Sequence, residues 1–478
     1  MNDLNLPEFF NVFWPIAFAI FGMIFIFWSS GKFLHKKDRE IFLALFFVGS
    51  IALALVMIFS DEWQPLISVF MLLRKSTKYA IGLLIASFAY FSMYFIQFFK
   101  LSNENHTNYV GKNSIASKKP QFQSYPKNLD WENDKMGSFI GMTDFLIDEI
   151  LADLKENYEA IPEQIKWIHD MLHYNVKGGK MIRGLGVIDV HKAFAISAGK
   201  KLEYDEYCKA CVLGVCIEWL QAFFLVADDV MDESLTRRGQ PCWYKLPHVK
   251  IIAVNDSFIL QSLVYRIIAL HFSHEPFYLK LIELFNDVIY QTELGQLLDL
   301  TSQPMDAPSD FSRFTTVRYS LIVKYKTAFY TFYLPCAIGM LSAGVSDLRS
   351  YDLAKRICCV IGEYFQVQDD FLDCFGDPSV IGKIGTDIQD KKCSWLVVQA
   401  LSKCSDSQRN QLMENYGQND LVKVEKVKEI YRELNLSQVF ATYEERSYKT
   451  IQALIAEVND VPRDVFNNFV QRIYKRKM

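Results

Sequence analysis

The chain has no surplus of basic residues. Its 51 Lys and Arg face 55 Asp and Glu, for a net charge of −4 over 478 residues. That excludes a protein that holds nucleic acid mainly by charge. Charged residues are few altogether, at 22%, whereas 51% are hydrophobic and 15% aromatic. A disordered chain, a collagen-like fibre and a small disulfide scaffold are therefore excluded. Glycine (22) and proline (14) are sparse, which suits long uninterrupted helices. No stretch sustains a period-2 alternation bounded by turn residues, so nothing reads as a sheet. The fold class expected is all-α. Cysteine is missing from the first 200 residues; all ten follow. Cys208-x-x-Cys211 with Cys216 admits a zinc site, but their place in an apolar helical run fits buried reduced thiols better.

Charge is absent from three long runs, 9–31, 41–60 and 79–99. Each is long enough to cross the roughly 30 Å hydrocarbon core as a helix, and a charge at its centre would cost at least about 2.5 kcal/mol. Three transmembrane helices are expected in residues 1–100, with the short apolar piece 64–73 at the interface. A buried hairpin of a soluble domain is the competing reading. A cleavable leader fits poorly, because the N-terminus carries Asp3 and Glu8 where a leader is basic. Lys32, Lys36, Lys37 and Arg39 in the first loop, and Lys100, Lys112, Lys118 and Lys119 after the third run, outnumber Arg74, Lys75 and Lys78 in the second loop. The positive-inside tendency then places the N-terminus outside and everything after residue 100 in the cytoplasm. Without the N-terminal segment the protein would simply be cytoplasmic. Residues 101–128 are rich in Asn, Ser and Lys without helical or strand period, and read as a linker. Residues 129–478 form the remaining domain.

From about 140 onward the apolar spacing is helical. Phe145, Ile147, Ile150, Leu151 and Leu154 recur three and four apart, with Thr143 as the expected N-cap. Similar stripes run through 206–230, 276–302, 351–374 and 393–403.

Two acidic clusters interrupt this apolar chain. Asp228-Asp229-Val230-Met231-Asp232 follows the run Leu220–Ala227, and Asp369-Asp370-Phe371-Leu372-Asp373 follows Tyr364–Gln368. On a helix, positions i, i+1 and i+4 put three carboxylates along one wall. Like charges at that spacing destabilise a helix by a few tenths of a kcal/mol per pair, and an apolar flank raises the cost of burying them. A compensating cation is required. Oxygen ligands without His or Cys suit Mg²⁺, which is usually held by a few carboxylates together with substrate phosphates. One such cluster is a weak signal, since acidic helix faces are common; two of them, each ending an apolar run, are a strong one. Basic groups supply the complement. Arg237 and Arg238 follow the first cluster, Gly178-Gly179-Lys180-Met181-Ile182-Arg183-Gly184 is a flexible basic turn, and Lys324, Lys326 and Lys383 add more. Each alone reads as a solvated turn or helix end. Together they amount to two phosphate sites facing a metal cluster.

The region from about 140 to 478 resembles the farnesyl diphosphate synthases, trans-isoprenyl diphosphate synthases of the animal type. The resemblance runs through LQAFFLVADDVMDESLTRRGQPCWY, YQTELGQLLDL, VKYKTAFYTFYLP, FQVQDDFLDCFGDPSVIGKIGTDIQDKKCSW and the terminal RIYKRKM; it does not extend to residues 1–100. It implies an isoprenoid synthase-type helical bundle around a central cavity, a homodimer, and isoprenyl diphosphates as substrates. By motif, Asp228, Asp232 and Asp369 would bind three Mg²⁺ (Mn²⁺ as a substitute), with Asp229, Asp370 and Asp373 in support. Arg237, Lys326 and Lys383 would hold the allylic diphosphate. Lys180, Arg183 and Arg238 would hold isopentenyl diphosphate, with Gln221 nearby. Thr327 and Gln366 would line the site of the carbocation. Phe223 and Phe224, one turn before Asp228, would floor the cavity and stop growth at fifteen carbons. The implied activity is head-to-tail condensation to farnesyl diphosphate. One departure stands out: the family's basic turn reads GGKxNRG, and here Ile182 takes the Asn position. Some insect relatives have become terpene synthases, and a weakened isopentenyl site is one route to that change, so this remains the alternative.

Overall fold

The structure, a computed structural model, describes residues 124–302, 310–377 and 384–474. Contacts divide the chain into two units, 1–112 and 113–478, and every described residue lies in the second. The three spans expected at 9–31, 41–60 and 79–99 lie outside the described residues, as does Lys383.

The described residues form an all-helical bundle. In chain order it comprises α1 (Lys135–Asn157), α2 (Pro162–Asn175), α3 (Ile182–Ser197), α4 (Tyr204–Met231), α5 (Ile252–Phe272) and α6 (Tyr278–Leu300). Then come α7 (Thr316–Ile322), a π-helical stretch Val323–Tyr333 and α8 (Leu334–Ser342), which run on as one rod. The remainder is α9 (Leu348–Phe375), α10 (Trp395–Lys403), α11 (Asp406–Asn415), α12 (Leu421–Glu433), α13 (Leu436–Ala456) and α14 (Asp464–Ile473). The apolar stripes read at 206–230, 276–302, 351–374 and 393–403 correspond to α4, α6, α9 and α10. Among the described residues the strands are two residues each, Thr236–Arg237 paired antiparallel with Gln240–Pro241.

The bundle is arranged around α4. It is apolar on almost every side and buried along most of its length, a wider apolar surface than the one-faced stripe read at 206–230, as suits a helix enclosed by others. By length and composition α4 and α5 are both apolar enough to cross a membrane, but α4 is the buried centre of this bundle. Cys208, Cys211 and Cys216 are free thiols buried on α4, and burial pushes the Cys208 thiol up to about 11. Their burial inside the apolar helix matches the buried-thiol reading.

Two expectations change. Thr143 does not cap α1: the helix begins eight residues earlier, where the Asp134 carboxylate accepts from the Gly137 amide at 2.8 Å. Thr143 instead donates its hydroxyl to the Phe139 carbonyl at 2.9 Å inside the helix, the other local bond that threonine makes with backbone. The packed domain also starts before residue 129, since Tyr125 is buried and stacks on His271 with centroids 6.0 Å apart.

Gly295 on α6 allows the closest approach that matters for the site. A Cβ there would lie 2.2 Å from the Lys326 amide nitrogen of the π-helical stretch. One turn further along, α6 places Asp299 against the Lys326 side chain. Gly295→Ala should force the two elements apart at a cost of about 1–3 kcal/mol, read as a lowered midpoint of thermal unfolding together with reduced activity.

Candidate active site

Both acidic clusters sit at the C-terminal ends of long helices: Asp228, Asp229 and Asp232 on the last turn and cap of α4, and Asp369, Asp370 and Asp373 on the last turns of α9. The negative end of each helix dipole makes carboxylates unwelcome there, so the placement reinforces the demand for cations. The two clusters do face one cavity. It measures about 460 Å³ and is lined by Asp228, Asp232, Asp369, Asp370 and Asp373 from the two walls. Asp390 stands between them: burial raises its carboxyl, and Asp232 from one wall and Asp373 from the other raise it further. Asp373 is itself held by the Asp387 amide at 3.0 Å.

Two ammonium groups occupy the space between carboxylates. Lys326 donates to Asp299 at 2.8 Å and to Asp228 at 3.3 Å, and Lys392 donates to Asp232 at 2.7 Å and to Asp299 at 3.1 Å. Gln296 adds a bond to Asp228 at 2.8 Å. Burial would raise the Asp299 carboxyl, but Lys326 and Lys392 outweigh it and hold it down at about 2. The same balance keeps Asp228 below its ordinary range, whereas Asp232 is raised, first by burial and then by Asp228. Conversely, Asp228, Asp299 and Asp232 overcome burial and hold the Lys326 ammonium well above its ordinary range. The sequence reading missed Asp299, Lys392, Asp387 and Asp390. Their motifs were visible, but a lone Asp on an amphipathic helix and a Lys after a loop look solvated until the fold brings them together.

The basic half of the site rests on backbone geometry. Arg238 and Gly239 form the two-residue turn of the small hairpin with φ of 54° and 76°, the signature of a type I′ turn. This turn places Arg237 and Arg238 on the cavity wall. Arg238 is braced by the Asn175 and Lys177 carbonyls, each at 2.9 Å. Gly178 and Gly179 adopt φ of 86° and 90° beside it, and a Cβ on Gly179 would press on the Arg238 guanidinium at 3.4 Å. Arg183 donates to the Tyr330 hydroxyl and to Thr331, each at 2.9 Å. The Gln221 amide satisfies its neighbours with its oxygen toward Arg183 at 2.8 Å and its nitrogen toward Glu218 at 3.0 Å. Glu218, fully buried in the apolar run of α4, also accepts from the Gly184 amide at 2.8 Å. No sequence signal distinguished it. Lys180 reaches the cavity from its exposed side.

The Thr327 hydroxyl donates to the Gln366 amide oxygen at 2.8 Å, and both residues line the cavity. The π-helical stretch carries Lys326 and Thr327 side by side into it; such wide turns are frequent at functional sites. Phe223 and Phe224 pack on each other at 4.8 Å but do not line the cavity themselves. Phe224 meets Tyr330 edge-on at 5.3 Å, and Tyr330 is one of the rings on the cavity wall.

Residues 165–434 match the family model of the polyprenyl synthetases. The chain belongs to the polyprenyl synthetase family. Within it, the chain is 47% identical over 352 residues to the farnesyl diphosphate synthase of Dictyostelium discoideum, covering 72% of this chain and 91% of that one. It is 49% identical over 330 residues to the farnesyl pyrophosphate synthase of Bos taurus, covering 69% and 93%. Among solved structures, a T. brucei farnesyl diphosphate synthase complexed with risedronate superposes with a TM-score of 0.67 at 36% identity, covering 72% of this chain and all of that one. This polyprenyl synthetase is a prenyltransferase with the family's all-α fold. Members of the family use divalent metal ions, and the all-oxygen donor set of the two walls fits a hard ion whose remaining ligands come from diphosphate.

Proposed function

We propose that the protein condenses isopentenyl diphosphate with dimethylallyl diphosphate and then with geranyl diphosphate, head to tail, to give farnesyl diphosphate. The observation that carries this reading is a pair of aspartate walls across one cavity with separate cation groups beside each. Arg237, Lys326, Lys392 and Lys383 hold the allylic diphosphate. Lys180, Arg183 and Arg238 hold isopentenyl diphosphate, with Gln221 setting the Arg183 fork. Mg²⁺ held by Asp228, Asp232 and Asp369, three ions in all, with Asp373 in support and Mn²⁺ as a substitute, would neutralise charge that develops on the departing diphosphate. The oxygen dipoles of Thr327 and Gln366 face the position where the allylic carbocation forms. Tyr330 and Phe365 wall off that end of the cavity. The double bond of isopentenyl diphosphate attacks the cation, and the proton then lost passes to the released diphosphate. Phe223 and Phe224 act on chain length by backing Tyr330.

The test is product analysis. Isopentenyl and dimethylallyl diphosphates with Mg²⁺ should yield farnesyl diphosphate, and farnesyl diphosphate alone should yield nothing. A hydrocarbon or alcohol from the second mixture, without elongation in the first, would establish a terpene synthase instead. The similarities do not favour that alternative, and Arg183, Gln221 and Arg238 line the cavity, which supports an isopentenyl site. Ile182 bears on the same point: its carbonyl accepts from Arg472 at 3.3 Å, so the backbone of the basic turn is held whatever the side chain. Ile182→Asn should lower the Michaelis constant for isopentenyl diphosphate by up to about tenfold, the value of one net hydrogen bond; an unchanged constant would show that the backbone tie suffices.

The assembly follows from surfaces and from the N-terminal sequence. Tyr290, Leu294 and Leu297 form an exposed apolar stripe on α6, spaced by one turn, with Leu321 of α7 also exposed. Such a stripe fits a two-fold interface with a second copy, and light scattering should give twice the monomer mass. Residues 1–100 serve as a membrane anchor, and the linker after them leads into the cytoplasmic prenyltransferase domain, whose packing already includes Tyr125. The 55.4 kDa chain should sediment with membranes; a soluble band near 40 kDa as the sole species would remove the anchor.

A further inference from the structure

Each acidic cluster has a middle aspartate whose oxygens are engaged by the protein. Asp229 is 4% exposed. It accepts from Arg237 Nε at 3.1 Å and from the same guanidinium's terminal nitrogen at 2.5 Å. Asp370 is 5% exposed. One of its oxygens accepts from Gln366 Nε2 at 2.8 Å and the other from the Trp395 backbone amide at 2.7 Å. Gln366 is thereby fixed at both ends, its nitrogen on Asp370 and its oxygen toward Thr327.

We propose that Asp229 and Asp370 are positioning residues and not metal ligands: Asp229 clamps the Arg237 guanidinium at the allylic diphosphate, and Asp370 sets the Gln366 amide so that its oxygen faces the cavity. The sequence offered all three aspartates of each cluster as one wall. The fold turns Asp229 off the cavity wall, because residue i+1 lies about 100° around the helix from residue i; Asp370 still borders the cavity, but both of its oxygens are taken by Gln366 and the Trp395 amide. The inference rests on the prenyl-transfer reading above and adds roles that this reading does not contain.

The orientation of Gln366 decides the outcome of one substitution. In Asp370→Asn the Trp395 amide still requires an acceptor, so the oxygen of the introduced amide turns to it and the amide's NH₂ faces Gln366. Two amide nitrogens cannot bond each other, so Gln366 must flip. Its own NH₂ then points at Thr327 and into the cavity, with its positive end toward the forming cation. Loss of one oriented dipole of this kind lowers kcat by about 10²-fold. Replacing Gln366 with Glu in that background puts an oxygen at both ends of side chain 366 and removes the flip.

The experiment measures steady-state kinetics and Mg²⁺ titrations for the full chain and its variants. Farnesyl diphosphate formation by the unmodified chain comes first; its absence would defeat the prenyl-transfer reading itself. Given that activity, Asp370→Asn should lower kcat by about 10²-fold with little change in either Michaelis constant. The double variant Gln366→Glu/Asp370→Asn should recover at least a tenth of the loss. Asp229→Asn should raise the Michaelis constant for the allylic diphosphate about tenfold and move kcat much less. Neither single variant should change the Mg²⁺ concentration at half-activity. A tenfold shift in that concentration, or no recovery in the double variant, would overturn the proposal. If a variant does not fold, a crystal of the unmodified enzyme with Mg²⁺ and a bisphosphonate decides the matter: an Asp229 or Asp370 oxygen at the ligand distance of about 2.1 Å would refute it, and the bonds described above would sustain it.

Discussion

Asp228→Ala should lower kcat by at least about 10³-fold, the cost of removing one principal electrostatic stabiliser of a developing charge. Asp228 lies where three site groups meet. Lys326 reaches it at 3.3 Å, Gln296 at 2.8 Å and Arg237 at 3.9 Å. It also lines the cavity, as the middle residue Asp229 does not. The fold should tolerate the change, because Lys326 keeps Asp299 at 2.8 Å and Arg237 keeps Asp229. The expected result is therefore a large fall in kcat with an almost unchanged midpoint of unfolding. Asp228→Asn, which preserves the shape and the acceptor for Gln296 but removes the charge, should fall nearly as far. If Asp228→Ala retained activity within a factor of ten, the aspartate walls would not be the metal site.

The helices were readable because an apolar face repeating every three to four residues leaves few alternatives. The stripe at 276–302 became Tyr278–Leu300, and that at 351–374 became Leu348–Phe375. The acidic clusters were readable for an energetic reason: carboxylates crowded against apolar helix ends demand a cation. Three things were not readable. Whether a threonine caps a helix or bonds back inside it depends on where the helix starts, and Thr143 could not reveal Asp134. The π-helical stretch Val323–Tyr333 has no composition of its own; its register follows from packing against α6 at Gly295. Asp299, Glu218 and Lys392 each look ordinary in sequence and acquire meaning only from partners 27 to 160 residues away.

Lys326→Met should be costly in stability as well as in turnover, and the two costs can be separated. The ammonium of Lys326 is one of two cations against Asp299, a carboxylate whose side chain is 7% exposed. Breaking a buried ion pair by removing one partner costs about 3–5 kcal/mol; Lys392 at 3.1 Å remains, so the lower end is expected, about 3 kcal/mol. Adding Asp299→Asn removes the stranded charge and should return part of that stability, a coupling of about 1–3 kcal/mol in a double-mutant cycle. It should return no activity, because the diphosphate still lacks its Lys326 contact. The pH dependence has a definite sign. In the unmodified chain the Asp299 carboxyl is held at about 2, below its ordinary 3.8. Its contribution is therefore complete above pH 3.8 and is lost as pH falls toward 2. Without Lys326, burial weighs more heavily on that carboxyl and its protonation comes at higher pH, which relieves the stranded charge. The deficit of Lys326→Met relative to the unmodified chain should be largest near neutrality and should shrink on acidification. A deficit that grew in acid, or a double variant no more stable than Lys326→Met alone, would show that Lys326 acts on the substrate and not on the Asp299 charge.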